Sequence, residues 1–270
     1  TPTDGLMAGK KGLVMGVAND HSIAWIVAAA ARRHGATLAF TYQDDSFGKR
    51  LKPLAASVDS DIVLPCDVEK DSDLDAVFET LAKRWGRLDF VVHAIAYSNR
   101  DELKGRYLDT TWPNFARTLA ISCYSFTGIA RRAAAMANDG ASLLTFTFSG
   151  ARRVMPSYNV MGVAKAALEA SVRYMAVDLG ARGIRVNAIS AGPMRTLAGA
   201  AIRDSRSIYK WTRENAPLGR NITAADLGGA SLYLLSDLSR SVTGEVHYVD
   251  AGYNRVGMPA PRRPIPPPPA

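Results

Sequence analysis

Apolar positions along this chain follow two periods that alternate from end to end. Short runs rich in β-branched and aromatic residues fall at Gly12–Val17, Ala36–Tyr42, Asp61–Pro65, Leu88–Ile95, Ser142–Phe148, Ile184–Ser190 and Glu245–Asp250. Between them, segments with helical spacing occupy Ser22–His34, Phe47–Ser57, Asp71–Trp85, Asn114–Ala137, Tyr158–Gly180 and Thr223–Leu235, several opened by Ser, Asp or Thr at cap positions. Strands that are apolar throughout, separated by helices, predict an α/β fold: a doubly wound sheet of seven parallel strands with helices on both faces. Met194–Arg220 breaks the alternation, with helical periodicity and no strand partner, and predicts a helical lid over a substrate pocket. A single domain is expected over residues 1–258, followed by a proline-rich extended tail at 259–270.

With 270 residues, 47% hydrophobic and 21% charged, the chain has enough apolar material for one large core, which excludes a disordered class. Cys66 and Cys123 have no paired spacing, so neither a disulfide framework nor a metal site is expected. No run of transmembrane length and no signal segment is present, and a cytoplasmic, reducing setting follows as the expectation. The formal charge of +8 fits an acidic protein partner, an anionic membrane or nucleic acid. The basic residues are scattered without an aromatic-interleaved stripe, which argues against nucleic acid.

Candidate chemistry gathers at the carboxyl ends of the predicted strands, where open parallel sheets bind ligands. Tyr158 and Lys165 lie seven positions apart, two helical turns, so phenol and ammonium share a face. A fixed cation beside a phenol favours phenolate and would make Tyr158 an activated acid or oxyanion stabiliser. Taken alone, the pair reads more readily as two surface residues of an amphipathic helix. Their neighbours supply the context for a Rossmann-like cleft. Gly16 ends the first strand and Ser22 begins a helix, which offers close backbone approach and a helix N-terminus to a dinucleotide pyrophosphate without a full G-x-G-x-x-G. Gln43, Asp44 and Asp45 follow the second strand, where such folds discriminate a ribose 2′-hydroxyl from a 2′-phosphate; two carboxylates predict NADH rather than NADPH. Asp67 and Val68 after the third strand would bound an adenine slot, and Ala94, Ile95 and Ala96 after the fourth would run beneath the nicotinamide ribose.

This order of motifs resembles the short-chain dehydrogenase/reductase superfamily, and within it the divergent branch of bacterial enoyl-acyl-carrier-protein reductases of the NADH type. The resemblance is carried by Gly16 with Ser22–Ala24, Cys66–Val68, Asp101–Leu103, Ile121–Phe126, Tyr158–Gly162 with Lys165, Val186–Pro193 with Arg195 and Thr196, and Thr243–Val246, and covers roughly residues 6–253. It implies a catalytic Tyr158 and Lys165, with Lys165 also on the nicotinamide ribose. It implies cofactor contacts from Gly16, Ser22, Ile23, Gln43, Asp67, Val68, Ala94, Ile95, Ala191, Met194 and Thr196. On the substrate side it implies Ala96, Tyr97, Phe148, Tyr158 and Met161, with no metal. Hydride would pass from NADH to the β-carbon of a trans-2-enoyl thioester on acyl carrier protein, in fatty-acid biosynthesis, and a homotetramer is expected. Arg203, Arg206, Lys210 and Arg213 would form a basic rim on the lid for that acidic carrier.

Three positions depart from the pattern. Phe148 stands where many such reductases carry a second Tyr, and Ala96 and Ile26 stand where they carry Gly, so substrate shape is more affected than chemistry. The alternatives are a reductase of a small-molecule carbonyl or enone, or a specialised paralogue with altered substrate or mainly a binding role. Thr145 in place of a carbonyl-binding Ser, and apolar Phe148, weigh against the first; the intact Tyr158 and Lys165 weigh against the second.

Overall fold

A computed structural model describes residues 5–196 and 204–258. Seven strands form one parallel sheet in the order β3-β2-β1-β4-β5-β6-β7: β1 Lys11–Met15, β2 Thr37–Tyr42, β3 Ile62–Pro65, β4 Leu88–His93, β5 Ala137–Thr147, β6 Arg185–Ala191 and β7 Val246–Val249. The helices are α1 Ile23–Arg33, α2 Asp45–Ala56, α3 Asp71–Trp85, α4 Trp112–Leu119, α5 Ser125–Met136, α6 Asn159–Gly180, α7 Ser205–Asn215 and α8 Ala224–Leu235. The expected strands and helices are all present. The 259–270 tail and positions 197–203 of the expected lid lie outside the described residues.

Successive strand residues point to opposite faces, so each strand feeds two cores. Leu13 and Met15 join one with Val91 and residues of α3, α5 and α6; Val14 and Phe90 join the other with residues of α1, α2 and α8. Each fully buried Leu, Met or Phe contributes roughly 1.5–3 kcal/mol relative to exposure. Arg185 of β6 is buried and donates to the carbonyls of Leu234 and Ser236, at 2.7 and 3.2 Å, so a cation closes the C-terminus of α8 where the helix dipole is negative.

Two boundaries moved for physical reasons. The predicted helix over 114–137 is broken by a π-turn at Ala120–Tyr124 between α4 and α5. The fifth strand begins at Ala137 rather than Ser142, because extended chain leaves α5 directly and pairs Ala137 with Leu88 before a register shift to Phe90 and Ser142.

Candidate active site

The sheet reverses its winding between β1 and β4, which opens a crevice at their carboxyl ends. Gly16 leaves β1 with φ 101°, and a Cβ there would collide with the Ala94 carbonyl oxygen at the end of β4. Only glycine combines that backbone with that approach. Ser22, the residue before α1, is buried, and its hydroxyl donates to Asn19 O at 2.6 Å instead of capping the helix. No acidic residue stands in the first turn. The α1 N-terminus at Ile23 therefore keeps its N–H groups for an anion, unlike α2 and α8, which are capped by side chains. These features fit a dinucleotide.

At the end of β2, where an adenosine is expected, Gln43 is exposed, and Asp44 caps α2 through Ser46 N and Phe47 N at 2.9 and 3.1 Å. Those backbone bonds lower the Asp44 pKa, so the carboxylate stays charged. Asp67 is half-buried, with its N–H on Asp73 and its carboxylate accepting from Glu69 N, and Val68 packs against the core. On the far side, Ala191 ends β6, and Met194 and Thr196 follow it. A cavity of about 320 Å³ beside them is lined by Asp20, His21, Ile26, Met194, Arg195 and Thr223, which places Ile26 on its wall.

Tyr158 lies one residue before α6 rather than in it, flanked by Ser157 and Asn159 at φ 53° and 32°. The turn tilts the phenol inward, where it is buried and meets Phe148 edge-on at 5.3 Å between ring centroids. Gly150 lies so close that a Cβ would enter the Tyr158 ring. Lys165 is also buried and donates to Phe146 O at 2.8 Å, so among the described partners two of its three donors are left for a ligand.

The electrostatics differ from the expectation that the ammonium lowers the phenol's pKa. Burial raises the Tyr158 pKa, with no contribution from Lys165, and lowers that of Lys165 to about 8. The ammonium is engaged by the Phe146 carbonyl, and desolvation dominates both groups. Tyr158 is therefore a neutral O–H donor rather than a phenolate.

The surroundings of Tyr158 are apolar. Leu103, Val160 and Met161 form a buried cluster with it, backed by Phe115, Leu119, Phe148 and Met155. Phe148 is thus a wall of the site. Its backing is polar: Thr147 donates to Glu169 at 3.0 Å, and Arg152 Nε donates to the other oxygen of this buried carboxylate at 2.7 Å, binding β5, α6 and the Gly150 loop together. Ala96 and Tyr97 are exposed at the opening. His93, just before Ala94, does not face the crevice. It is fully buried between Thr145 and Ser125, at 2.9 Å to each, and burial with nearby Lys165 lowers its pKa to about 3, so it is neutral.

A family profile described as enoyl-(acyl carrier protein) reductase matches residues 16–254. The chain belongs to that family. It is 63% identical over 95% of its length to enoyl-[acyl-carrier-protein] reductase [NADH] 2 of Rhizobium meliloti (strain 1021), 96% of which is covered. A crystal structure of the enoyl-(acyl-carrier-protein) reductase of Anaplasma phagocytophilum in complex with NAD superposes with a TM-score of 0.92 at 55% identity, over 95% of this chain and 98% of that one. The FabI structure from Candidatus Liberibacter asiaticus gives a TM-score of 0.93 at 54% identity, over 95% and 100%. The short-chain reductase fold and its α/β class are those of these neighbours.

Sequence reasoning missed the residues that support the site. The π-turn presents Ser122, whose hydroxyl accepts from Tyr97 N at 2.9 Å and donates to Tyr97 O at 3.0 Å. The signal was Ser122 and Ser125 inside an otherwise apolar helical run, since mid-helix hydroxyls compete for backbone partners. Leu103, Phe115, Leu119 and Met155 carry no signal that separates a pocket wall from a core.

Proposed function

We propose that this chain reduces the trans-2 double bond of an enoyl thioester on acyl carrier protein, with NADH as reductant, in fatty-acid biosynthesis. The buried Tyr158 and Lys165, set at the carboxyl end of the sheet against an apolar wall, carry this reading. NADH supplies the hydride to the β-carbon. The chain's own part is to hold the thioester oxygen beside the Tyr158 O–H, where negative charge develops as the enolate forms. A hydrogen bond there is worth more to the transition state than to the ground-state carbonyl, and burial keeps Tyr158 protonated to make it. Lys165 would hold the ribose hydroxyls with its two remaining donors. Gly16, Ser22 and Ile23 would take the pyrophosphate; Gln43, Asp67 and Val68 the adenosine; Ala94, Ile95, Ala191, Met194 and Thr196 the nicotinamide half. Ala96, Tyr97, Phe148 and Met161 would line the acyl path. The Asp44 charge disfavours a 2′-phosphate and supports NADH over NADPH.

Assay of NADH oxidation with crotonyl thioester against simple ketones tests this reading. Tyr158→Phe lowers kcat by about a hundredfold, the scale for one oxyanion donor, with NADH affinity nearly unchanged. Ketone turnover in preference to crotonyl thioester, or full activity of Tyr158→Phe with chemistry rate-limiting, overturns it.

Two surfaces support partners. Arg206, Lys210 and Arg213 are exposed on one face of α7 and fit an acidic carrier protein; Arg203 lies outside the described residues. Val163, Ala167, Ala170, Tyr174 and Val177 make an apolar stripe along the outer face of α6, with Tyr174 76% and Val177 80% exposed, on a helix whose other face is already in the core. Further copies of this chain, in a homotetramer, would cover it, and Tyr174→Glu should dissociate the assembly in analytical ultracentrifugation. Among the described residues no helix is long and apolar enough to cross a membrane. The cytoplasm is the proposed location.

A further inference from the structure

Two loops on opposite sides of the crevice are joined by one guanidinium. Glu69 directly follows Asp67 and Val68 at the adenine end, and its own N–H is bonded to the Asp67 carboxylate at 3.1 Å. Arg117 of α4 forks this Glu69 carboxylate, Nε to Oε1 and Oε2 at 3.0 and 3.2 Å and Nη2 to Oε2 at 2.8 Å. The same guanidinium lies over the ring of Tyr97, its Cζ 4.6 Å from the centroid. The Tyr97 backbone is pinned by Ser122, while the residue is 41% exposed, and the described partner of its ring is Arg117.

A half-exposed ion pair by itself adds little stability, about 0–1 kcal/mol. A planar fork that also stacks on a ring instead fixes direction: moving Glu69 turns the plane over Tyr97. We propose that Arg117 is a positioning residue that couples occupation of the adenine end of the crevice to the setting of Tyr97 at the acyl opening. The inference rests on the reading of the crevice as a dinucleotide cleft with Tyr97 on the substrate side. Ordering of the Asp67–Glu69 loop by bound cofactor is relayed through the carboxylate and guanidinium to the ring, and by linkage an acyl thioester tightens cofactor binding by the same factor.

The test measures the NADH dissociation constant by fluorescence titration, with and without the unreactive saturated thioester butyryl-coenzyme A. In the wild type the constant without the thioester exceeds the constant with it by at least about fivefold. Arg117→Met, which keeps the stem and removes fork and charge, lowers this ratio by about fivefold, the low end of site-to-site coupling. Arg117→Met also raises KM for crotonyl-coenzyme A at saturating NADH, with kcat within about twofold. Tyr97→Phe preserves the ring face and retains the coupling; Tyr97→Leu removes it, and adding Arg117→Met to Tyr97→Leu changes nothing further. A wild-type ratio of one, an unchanged ratio in Arg117→Met, or additive effects of the two substitutions overturns the relay. Failure of the reductase reading is seen separately, as wild-type protein that does not oxidise NADH with crotonyl-coenzyme A.

Discussion

Burial is what tunes Tyr158 and Lys165, the two candidate catalytic side chains, and it acts on them in opposite senses. Tyr158 is held protonated and Lys165 is brought to about 8, down from an ordinary 10.5. If the ammonium holds the cofactor, the NADH dissociation constant should weaken by about tenfold between pH 7 and pH 9, because the free protein loses its charge across that interval. Lys165→Met should remove this dependence, and a flat wild-type profile would show that the ammonium takes no part. The stability effect has the opposite sign. The unfolded lysine titrates near 10.5, so between about 8 and 10.5 the unfolded chain binds more protons and this group makes the fold more stable as pH rises. Gly150→Ala places a methyl against the Tyr158 ring and has to displace it. We expect kcat to fall at least about tenfold while the circular-dichroism spectrum stays native, because a small displacement of a reacting group is costly to rate.

Among the elements, the join of β5, α6 and the loop between them decides whether Tyr158 is held still. Glu169 is 2% exposed and accepts from both Thr147 and Arg152. Arg152→Ala leaves a buried carboxylate with one neutral partner, and a loss of about 1–3 kcal/mol is expected in the urea midpoint, together with reduced kcat. Glu169→Gln keeps a hydrogen-bonding carbonyl for Thr147 without burying a charge, so it should cost less than Arg152→Ala. The reverse order would show that the pair does not act through the buried carboxylate. The π-turn works at the same scale: one helix length carries both Ser122, fastened to Tyr97, and Ser125, fastened to His93. Such turns occur frequently at functional sites.

Across the whole molecule, His93 ties β4 to β5 and α5 through Thr145 and Ser125 and is fully buried. Its folded pKa near 3 lies below the 6.5 of an unconstrained imidazole, so between those values the unfolded chain binds more protons. Stability should fall as pH drops through this window, with a slope approaching about 1.4 kcal/mol per pH unit from this group. Urea unfolding at pH 4 to 7 checks it: His93→Asn should be less stable at pH 7 but show a shallower acid limb. Equal slopes would place the acid sensitivity in the carboxylates instead. Asp226, held low by Arg220 and the Thr223 backbone, loses its contribution only below the ordinary carboxylate range.

Strand and helix identity, the parallel sheet and the positions of Gly16, Tyr158 and Lys165 were legible in the linear chain, because each rests on local periodicity or on spacing along one element. The tertiary structure decided what the local pattern does not encode. It broke the helix over 114–137, because Ser122 and Ser125 found partners 25 and 32 residues away in sequence, at Tyr97 and His93. It turned the electrostatics of Tyr158 around, since a pKa depends on how much water packing removes and on where Lys165 donates, neither of which spacing reports. Phe148 reads by periodicity as strand core and by resemblance as a substrate-side residue, and the fold sets its ring edge-on to Tyr158. The link from Glu69 through Arg117 to Tyr97 joins three separate segments whose charges look like ordinary surface residues, and only their convergence at one end of the sheet gives them a common task.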